Sequence, residues 1–397
     1  MRDAAGLRRA LVAWYERHRR AMPWRTTRDP YRVWVSEIML QQTQVATATP
    51  YYERFVAKFP DVRALARAER VDVLAAWSGL GYYRRARFLH EAALIVVREH
   101  AGSVPSDPHA FAQLPGVGRY TLGAVLSMGF GVRLPVLDGN VARVLSRLTG
   151  RALAIKRPAD ARVLWAMAAA LMPAGASPAG GGRVRPASAV ADGTAAAGNA
   201  RASRAAPTGI DPGQWNQALM ELGALVCIPR APRCDHCPVR RHCVANATGR
   251  QDELPPVAAR RAAMQVRRAV ARVAHRGRVL VVRREGTLLD GMWEPPGVEL
   301  ARGDDAGERL HALLAGLGVR TRLAEARARV RHSITHRDIV VRVFAGDATG
   351  RPPRSGVKLR WAEPGSPALA LTALARRVID ADAGGTRATR QSRRRAR

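Results

Sequence analysis

An all-helical first part followed by a smaller mixed α/β domain is the fold class this sequence predicts, and three observations predict it. Apolar residues recur at helical spacing from the N-terminus to about residue 172. From Arg268 onward the pattern changes to short β-branched runs with the period of strands. Four cysteines crowd the stretch just before that change. The chain has 397 residues, enough for two or three domains and a sizeable core.

The elements follow in order. Leu7 to Arg19 is amphipathic, Met22-Pro23-Trp24-Arg25 is a loop, and Val33 to Ala48 reads as one strongly apolar helix stopped by Pro50. Shorter helices follow, separated by Pro60, the Gly79-Leu80-Gly81 turn and Pro105. Leu114 to Gly118, LPGVG, is too rich in glycine to stay helical. Gly116 and Gly118 can take positive φ and carry no Cβ, so their amides can come close to another molecule. Leu122, Val125, Leu126 and Gly129 then recur at helical spacing, and amides at the mouth of a helix make a phosphate cradle. Leu137-Asp138-Gly139-Asn140 places a carboxylate at the start of the next helix, where its plain structural reading is an N-cap for Val141 to Leu148.

Residues 174–209 turn abruptly to Ala, Gly, Ser, Pro and Arg, too poor in large apolar side chains to order themselves, and read as a disordered insertion. Helix resumes at Gln214 to Val226. Residues 251–267, with Pro255-Pro256 and a basic run, read as a linker between a domain at 1–250 and a domain at 268–382. In the second, Ala269 to Val273, Arg278 to Val282, Arg327 to Val330 and Ile339 to Phe344 are the expected strands. Gly307 to Leu317 and Ala368 to Asp380 are its expected helices, and 383–397 is a basic, disordered tail.

The formal charge is +33, from 65 Lys+Arg against 32 Asp+Glu. Such a field favours a polyanion, because neutralising phosphates releases their counterions. A GC-rich genome, whose codons favour Arg and Ala, would inflate the same number without any such partner. No apolar run of about 18 residues is present, which excludes a membrane-spanning helix. The first residues lack the apolar core of a signal peptide, so a cytoplasmic protein is expected. Cysteines there point to metal rather than disulfides.

Two constellations carry chemistry. Glu37, Gln41 and Gln44 fall at i, i+4 and i+7, a stripe without Lys or Arg on an otherwise apolar helix. A buried carboxyl tends to keep its proton, which suits a general acid; a Glu bonded within the core is the alternative. Asp138 would be its complement, since two carboxylates in different surroundings can share the cleavage of a glycosidic bond. The second constellation is Cys227-x6-Cys234-x2-Cys237-x5-Cys243, a spacing for zinc or an iron–sulfur cluster. Zinc fingers commonly pair two Cys-x2-Cys knuckles, and here there is one.

LPGVG followed by a helix and Asp138 resembles the helix-hairpin-helix DNA glycosylases, and the 6-2-5 cysteine spacing resembles the 4Fe-4S loop of their endonuclease III and MutY branches. Pro23-Trp24-Arg25, Glu37 to Val45, Gly79 to Tyr83, Leu114 to Gly118, Leu137 to Asn140 and Asn216 to Ala224 look like the motifs of the MutY branch. The resemblance implies an all-helical helix-hairpin-helix glycosylase core with a 4Fe-4S loop, followed by a Nudix/MutT-like mixed α/β domain. It implies a monomer that acts on double-stranded DNA and removes adenine paired with 8-oxoguanine or guanine. Glu37 would protonate the base, and Asp138, helped by Asn140, would stabilise the cationic sugar. Arg25 and Gln217 match adenine-pocket positions; Gln42 and Tyr82 match residues that wedge into the duplex; Gly116 and Gly118 match the phosphate-binding hairpin. Cys227, Cys234, Cys237 and Cys243 would hold the cluster. Bifunctional relatives carry a lysine where this chain has Tyr120, which cannot form an imine, so base excision without efficient strand cleavage is expected. An endonuclease III-like pyrimidine glycosylase and lyase is the alternative.

Leu289 to Gly297, LDGMWEPPG, resembles the LWEFPGG segment of MutT-like domains. Gly303, His311, Ala312, Ala315 and Gly316 stand where a Nudix hydrolase carries its carboxylates and arginine, so this domain is expected to recognise 8-oxoguanine rather than hydrolyse a nucleotide. His332 to His336 resembles the family's Phe-Ser-His reading element, with Thr335 and His336 as the expected contacts and Ile334 in place of the aromatic.

Overall fold

The computed structural model describes residues 3–174, 209–256, 264–286, 290–334, 337–364 and 369–380. The insertion at 175–208, the tail beyond residue 380, Thr335 and His336 lie outside the described residues. By contact the chain forms two units that do not follow chain order. One is Met1–Trp34, Ser106–Gln113 and Val117–Ala258; the other is Val35–Pro105, Leu114–Gly116 and Ala259–Arg397.

The first unit is helical. Its N-terminal helix, Ala4–His18, starts at Asp3, whose carboxylate accepts from the Gly6 amide at 2.7 Å. Leu7, Leu11 and Tyr15 of that helix pack with Trp215, Leu219 and Leu222 of Pro212–Leu225 and with Val141, Val144 and Leu145 of Gly139–Thr149. The buried Asn216 ties the long helix to the chain before Asp138: its Nδ2 donates to Ser127 Oγ and to the Leu134 carbonyl, both at 2.8 Å. Close approach explains Gly223, where a Cβ would stand 2.7 Å from that of Asn140.

In the second unit, one sequence expectation is overturned. Val33 to Ala48 is not a single helix: Pro30–Leu40 and Val45–Lys58 are separate, and Pro50 lies inside the second. The break falls at Gln42, whose φ is +56°. A proline six residues into a helix leaves one carbonyl unpaired, whereas a left-handed residue reverses the chain. Glu37, Gln41 and Gln44 therefore do not form one helical stripe; Gln41 and Gln44 lie beyond the end of the Glu37 helix, and Gln44 is exposed.

The C-terminal sheet is mixed. β1 (Met264–His275) pairs in parallel with β7 (Arg337–Thr349) from Met264↔Arg337 to Ala274↔Asp347. The antiparallel neighbours are β2 (Arg278–Arg283), β4 (Gly297–Glu299) and β6 (Ala324–Ile334), while β3 (Trp293–Glu294) and β8 (Leu359–Ala362) flank β2 and β5 (Arg320–Thr321) pairs with β7. Alternation along β1 sets the layers. Ala269, Ala271 and Val273 face Leu310 and Leu314 of the helix Ala306–Gly316; Val266 and Val270 share a core with Leu374 and Val378 of the helix Ala373–Asp380. That last helix starts later than the sequence suggests because Thr372 Oγ1 accepts from the Ala375 amide at 3.0 Å.

Candidate active site

Asp138 is both cap and candidate acid. One carboxylate oxygen accepts from the Val141 amide at 2.7 Å, closing the first turn of Gly139–Thr149, and the other accepts from Asn140 Nδ2 at 3.1 Å. Burial pushes its pKa above the ordinary 3.8, opposed by these two donors. Asn140 is fixed in turn: its Oδ1 accepts from Arg143 Nη2 at 2.8 Å. Arg143 also donates to the Gly223 and Cys227 carbonyls, each at 2.7 Å. A continuous chain of hydrogen bonds thus runs from the cysteine loop to Asp138.

Glu37 belongs to the second unit and is buried at 5 % exposure, beside Ser36 at 1 %. Gln42 and Tyr82 also lie there; both are exposed, and both are non-glycine residues with positive φ, +56° and +50°. In the hairpin, Gly116 takes φ +78°, and a Cβ there would meet Phe88 Cβ at 2.8 Å. Gly118 corrects the expectation of a second left-handed glycine: at φ −96° and ψ 175° it is extended and caps Arg119–Phe130 without a side-chain acceptor. Gly118 and Arg119, at the mouth of that helix, are exposed. Tyr120 is half-buried, with its hydroxyl 3.4 Å from Met220 Sδ.

Arg25 and Gln217 converge with three residues the sequence did not single out, Tyr15, Arg20 and Glu221. Arg25 forms a fork with Glu221, Nη1 to Oε1 at 3.0 Å and Nη2 to Oε2 at 2.8 Å, and its guanidinium lies 5.5 Å from the Tyr15 ring centroid. Tyr15 donates to Gln217 Oε1 at 2.7 Å, and Arg20 makes a second fork to Glu221 at 2.9 and 2.8 Å. Burial would raise the Glu221 carboxyl, but the two guanidiniums outweigh it and bring it down to about 2. In the sequence, Glu221 lies inside the Asn216 to Ala224 motif, one turn after Gln217.

All four cysteines line one cavity with Arg147, Val226, Pro232, Arg240, Asn246 and Gln251. Among the described residues, no group of metal-ligating side chains converges on an ion-sized point. Arg147 is 2 % exposed, and its Nη1 stands 3.3 Å from Cys227 Sγ while its other donors reach the Leu254, Ile228 and Pro229 carbonyls. Four sulfurs around one cavity, with a buried guanidinium against one of them, are a donor set that fits an iron–sulfur cluster.

Residues 35–165 match HhH-GPD superfamily base excision DNA repair proteins, and residues 268–381 match the NUDIX domain. Hairpin, acid-capped helix and appended sheet together define a helix-hairpin-helix base excision DNA repair protein with a NUDIX-type domain. The chain is 36 % identical over 240 residues to the adenine DNA glycosylase of Mycolicibacterium smegmatis, covering 60 % of this chain and 69 % of that one. It is 40 % identical over 265 residues to the adenine DNA glycosylase of Rattus norvegicus, covering 64 % of this chain and 45 % of that one. A solved thermostable thymine-DNA glycosylase aligns at 25 % identity and a TM-score of 0.48, over 62 % of this chain and 98 % of its own. The chain belongs to the adenine DNA glycosylase family. It spans less than half the length of the rat relative.

Proposed function

We propose that this protein excises adenine from double-stranded DNA where it is paired with 8-oxoguanine or guanine, by hydrolysis of the N-glycosidic bond. The observation that carries the reading is the Asp138 carboxylate, half-buried and oriented by Val141 and Asn140 at a helix N-terminus. A fixed carboxylate with few waters around it stabilises a cationic sugar far better than one in bulk solvent. Glu37 is the proposed proton donor to the departing base, and afterwards assists the attacking water. Arg25 and Gln217 hold the adenine. Gln42 and Tyr82 enter the duplex as the nucleotide leaves the stack. Gly116 and Gly118 hold a phosphate.

Cys227, Cys234, Cys237 and Cys243 would hold a 4Fe-4S cluster. When bound, it supplies a rigid cross-link for a loop rich in arginine, and through Arg143 it steadies Asn140 and Asp138. The C-terminal sheet domain is the proposed reader of 8-oxoguanine, with Thr335 and His336 as its contacts. Tyr120 offers no amine for a Schiff base, which favours a monofunctional enzyme.

The test is to incubate the protein with duplexes carrying adenine opposite 8-oxoguanine, adenine opposite guanine, and thymine glycol, and to split each reaction with and without alkali. Release of adenine, with strand breaks only after alkali, is expected. Release of thymine glycol with nicking in neutral buffer would replace this reading by a pyrimidine glycosylase with lyase activity.

A further inference from the structure

Arg85 stands in the first turn of the helix Arg84–Glu99, half-buried, and its guanidinium gathers two turns that are far apart in the chain. Nη1 donates to the Ile38 carbonyl at 2.8 Å, to the Met39 carbonyl at 3.0 Å, and to the Gln41 carbonyl. Nη2 donates to Thr43 Oγ1 at 3.3 Å and to the Gly81 carbonyl at 3.2 Å. Ile38 and Met39 belong to the last turn of the Glu37 helix, whose carbonyls have no partner within the helix and carry the negative end of its dipole. Gln41 and Thr43 bracket Gln42, and Gly81 immediately precedes Tyr82.

The same cation also lies 5.4 Å from the Tyr82 ring centroid and 5.5 Å from that of Trp77, whose indole N–H donates to the Gly81 carbonyl at 3.2 Å. Nε of Arg85 is buried without a hydrogen-bond partner, so the group is held by its two terminal nitrogens. Burial lowers its pKa to about 10. Its hydrogen-bond acceptors are carbonyls and a hydroxyl, none of them a carboxylate.

The cost of this arrangement is visible on both sides. Gln42 and Tyr82 sit in left-handed backbone, about 1–2 kcal/mol each for a side chain with a Cβ. Such strain persists only where the surroundings over-determine it. Gln42 and Tyr82 are both exposed, Tyr82 at 42 %. A planar fork with several donors can fix two turns at once, which a lysine ammonium cannot.

We propose that Arg85 is a positioning residue that clamps the Gln42 and Tyr82 turns at a fixed separation, so that the two side chains meet a duplex as one preformed wedge. The inference rests on the reading of these residues as duplex-entering, and goes beyond it by naming what sets their geometry. The clamp also ends the Glu37 helix, so wedge and acid share one anchor.

The test uses the full chain with Arg85→Lys and Arg85→Ala, and a duplex bearing 2-aminopurine beside the adenine mispair. Melting temperature reports folding, duplex affinity reports binding, 2-aminopurine fluorescence reports unstacking, and single-turnover adenine release reports chemistry. Arg85→Lys is expected to fold and bind within about threefold of wild type, because the positive charge is kept, yet to lose the fluorescence rise and release adenine about 10- to 100-fold more slowly. Millimolar guanidinium should restore part of both signals to Arg85→Ala, and sodium chloride of equal strength should not. A folded Arg85→Lys with a full fluorescence rise overturns the proposal, whatever its rate. Should both variants unfold, Thr43→Val removes one acceptor from the clamp, and an unchanged fluorescence rise there overturns it equally. A wild type that unstacks the duplex but releases no adenine would sink the proposed activity while leaving the clamp to be judged by fluorescence.

Discussion

Ser78 Oγ donates a buried 2.8 Å hydrogen bond to the Leu371 carbonyl. Tyr83 OH donates to the same carbonyl at 3.2 Å and accepts from the Gly79 amide at 3.1 Å. Arg376 completes the node by donating to Ser78 Oγ at 2.8 Å. Both lone pairs of one carbonyl are thus used to fasten the turn before Tyr82 to the start of the last described helix. Ser78→Ala removes one donor to Leu371 and the acceptor of Arg376. Each buried group left unmatched costs about 1–3 kcal/mol, so a clear drop in the denaturant midpoint is expected, and an unchanged midpoint would show that water replaces the hydroxyl.

Asp138→Asn separates the cap from the chemistry. Asparagine caps a helix as well as aspartate does, whereas Asp138→Ala should cost about 1 kcal/mol of stability. The sign of the charge effect follows from the raised pKa of Asp138. The folded state holds this proton more tightly than the unfolded chain, so the group favours folding at low pH and opposes it as pH rises through the raised value. Asp138→Asn should therefore melt at or above the wild-type temperature near neutral pH while base release disappears. A variant that still releases adenine at the wild-type rate would remove Asp138 from the mechanism.

Glu221 gives the opposite sign. Its carboxyl is held at about 2 by Arg20 and Arg25 against burial, below the ordinary 4.5. The stability it supplies is present above about 4.5 and is lost as pH falls toward about 2, on the order of 3 kcal/mol in all. Glu221→Gln should be less stable at neutral pH, and its acid titration of stability should flatten over that window. Parallel acid curves for the two proteins would mean that other carboxylates carry the transition.

The cysteine cavity predicts composition. Purified protein should be brown, with iron and sulfide near four each per chain, as a 4Fe-4S cluster requires. Cys237→Ser should lose colour and loosen the loop that Arg147 ties to Leu254. Zinc at one per chain in the wild type would overturn the cluster.

Local patterns in the sequence reached far. The N-terminal helix, the strands β1, β2, β6 and β7, the helix Ala306–Gly316 and the Asp138 cap were readable, because each depends on residues within a turn or a pleat of one another. The break at Gln42 was not, because the group that takes up the freed carbonyls, Arg85, comes 44 residues after Gln41. Glu221 was passed over for the same reason: its guanidinium partner Arg25 lies 196 positions away. Periodicity reports that a position is buried, and is silent on which distant group satisfies it.

The Ser78–Leu371 bond spans 293 residues. At a translation rate of about 5–20 residues per second, the early turn waits roughly 15–60 s for its acceptor to be made. Until then the Ser78 hydroxyl lacks both its acceptor, the Leu371 carbonyl, and its donor, Arg376. A ribosome stalled before the end would hold a chain whose first helices are made but whose turn before Tyr82 still lacks its fastening to Leu371.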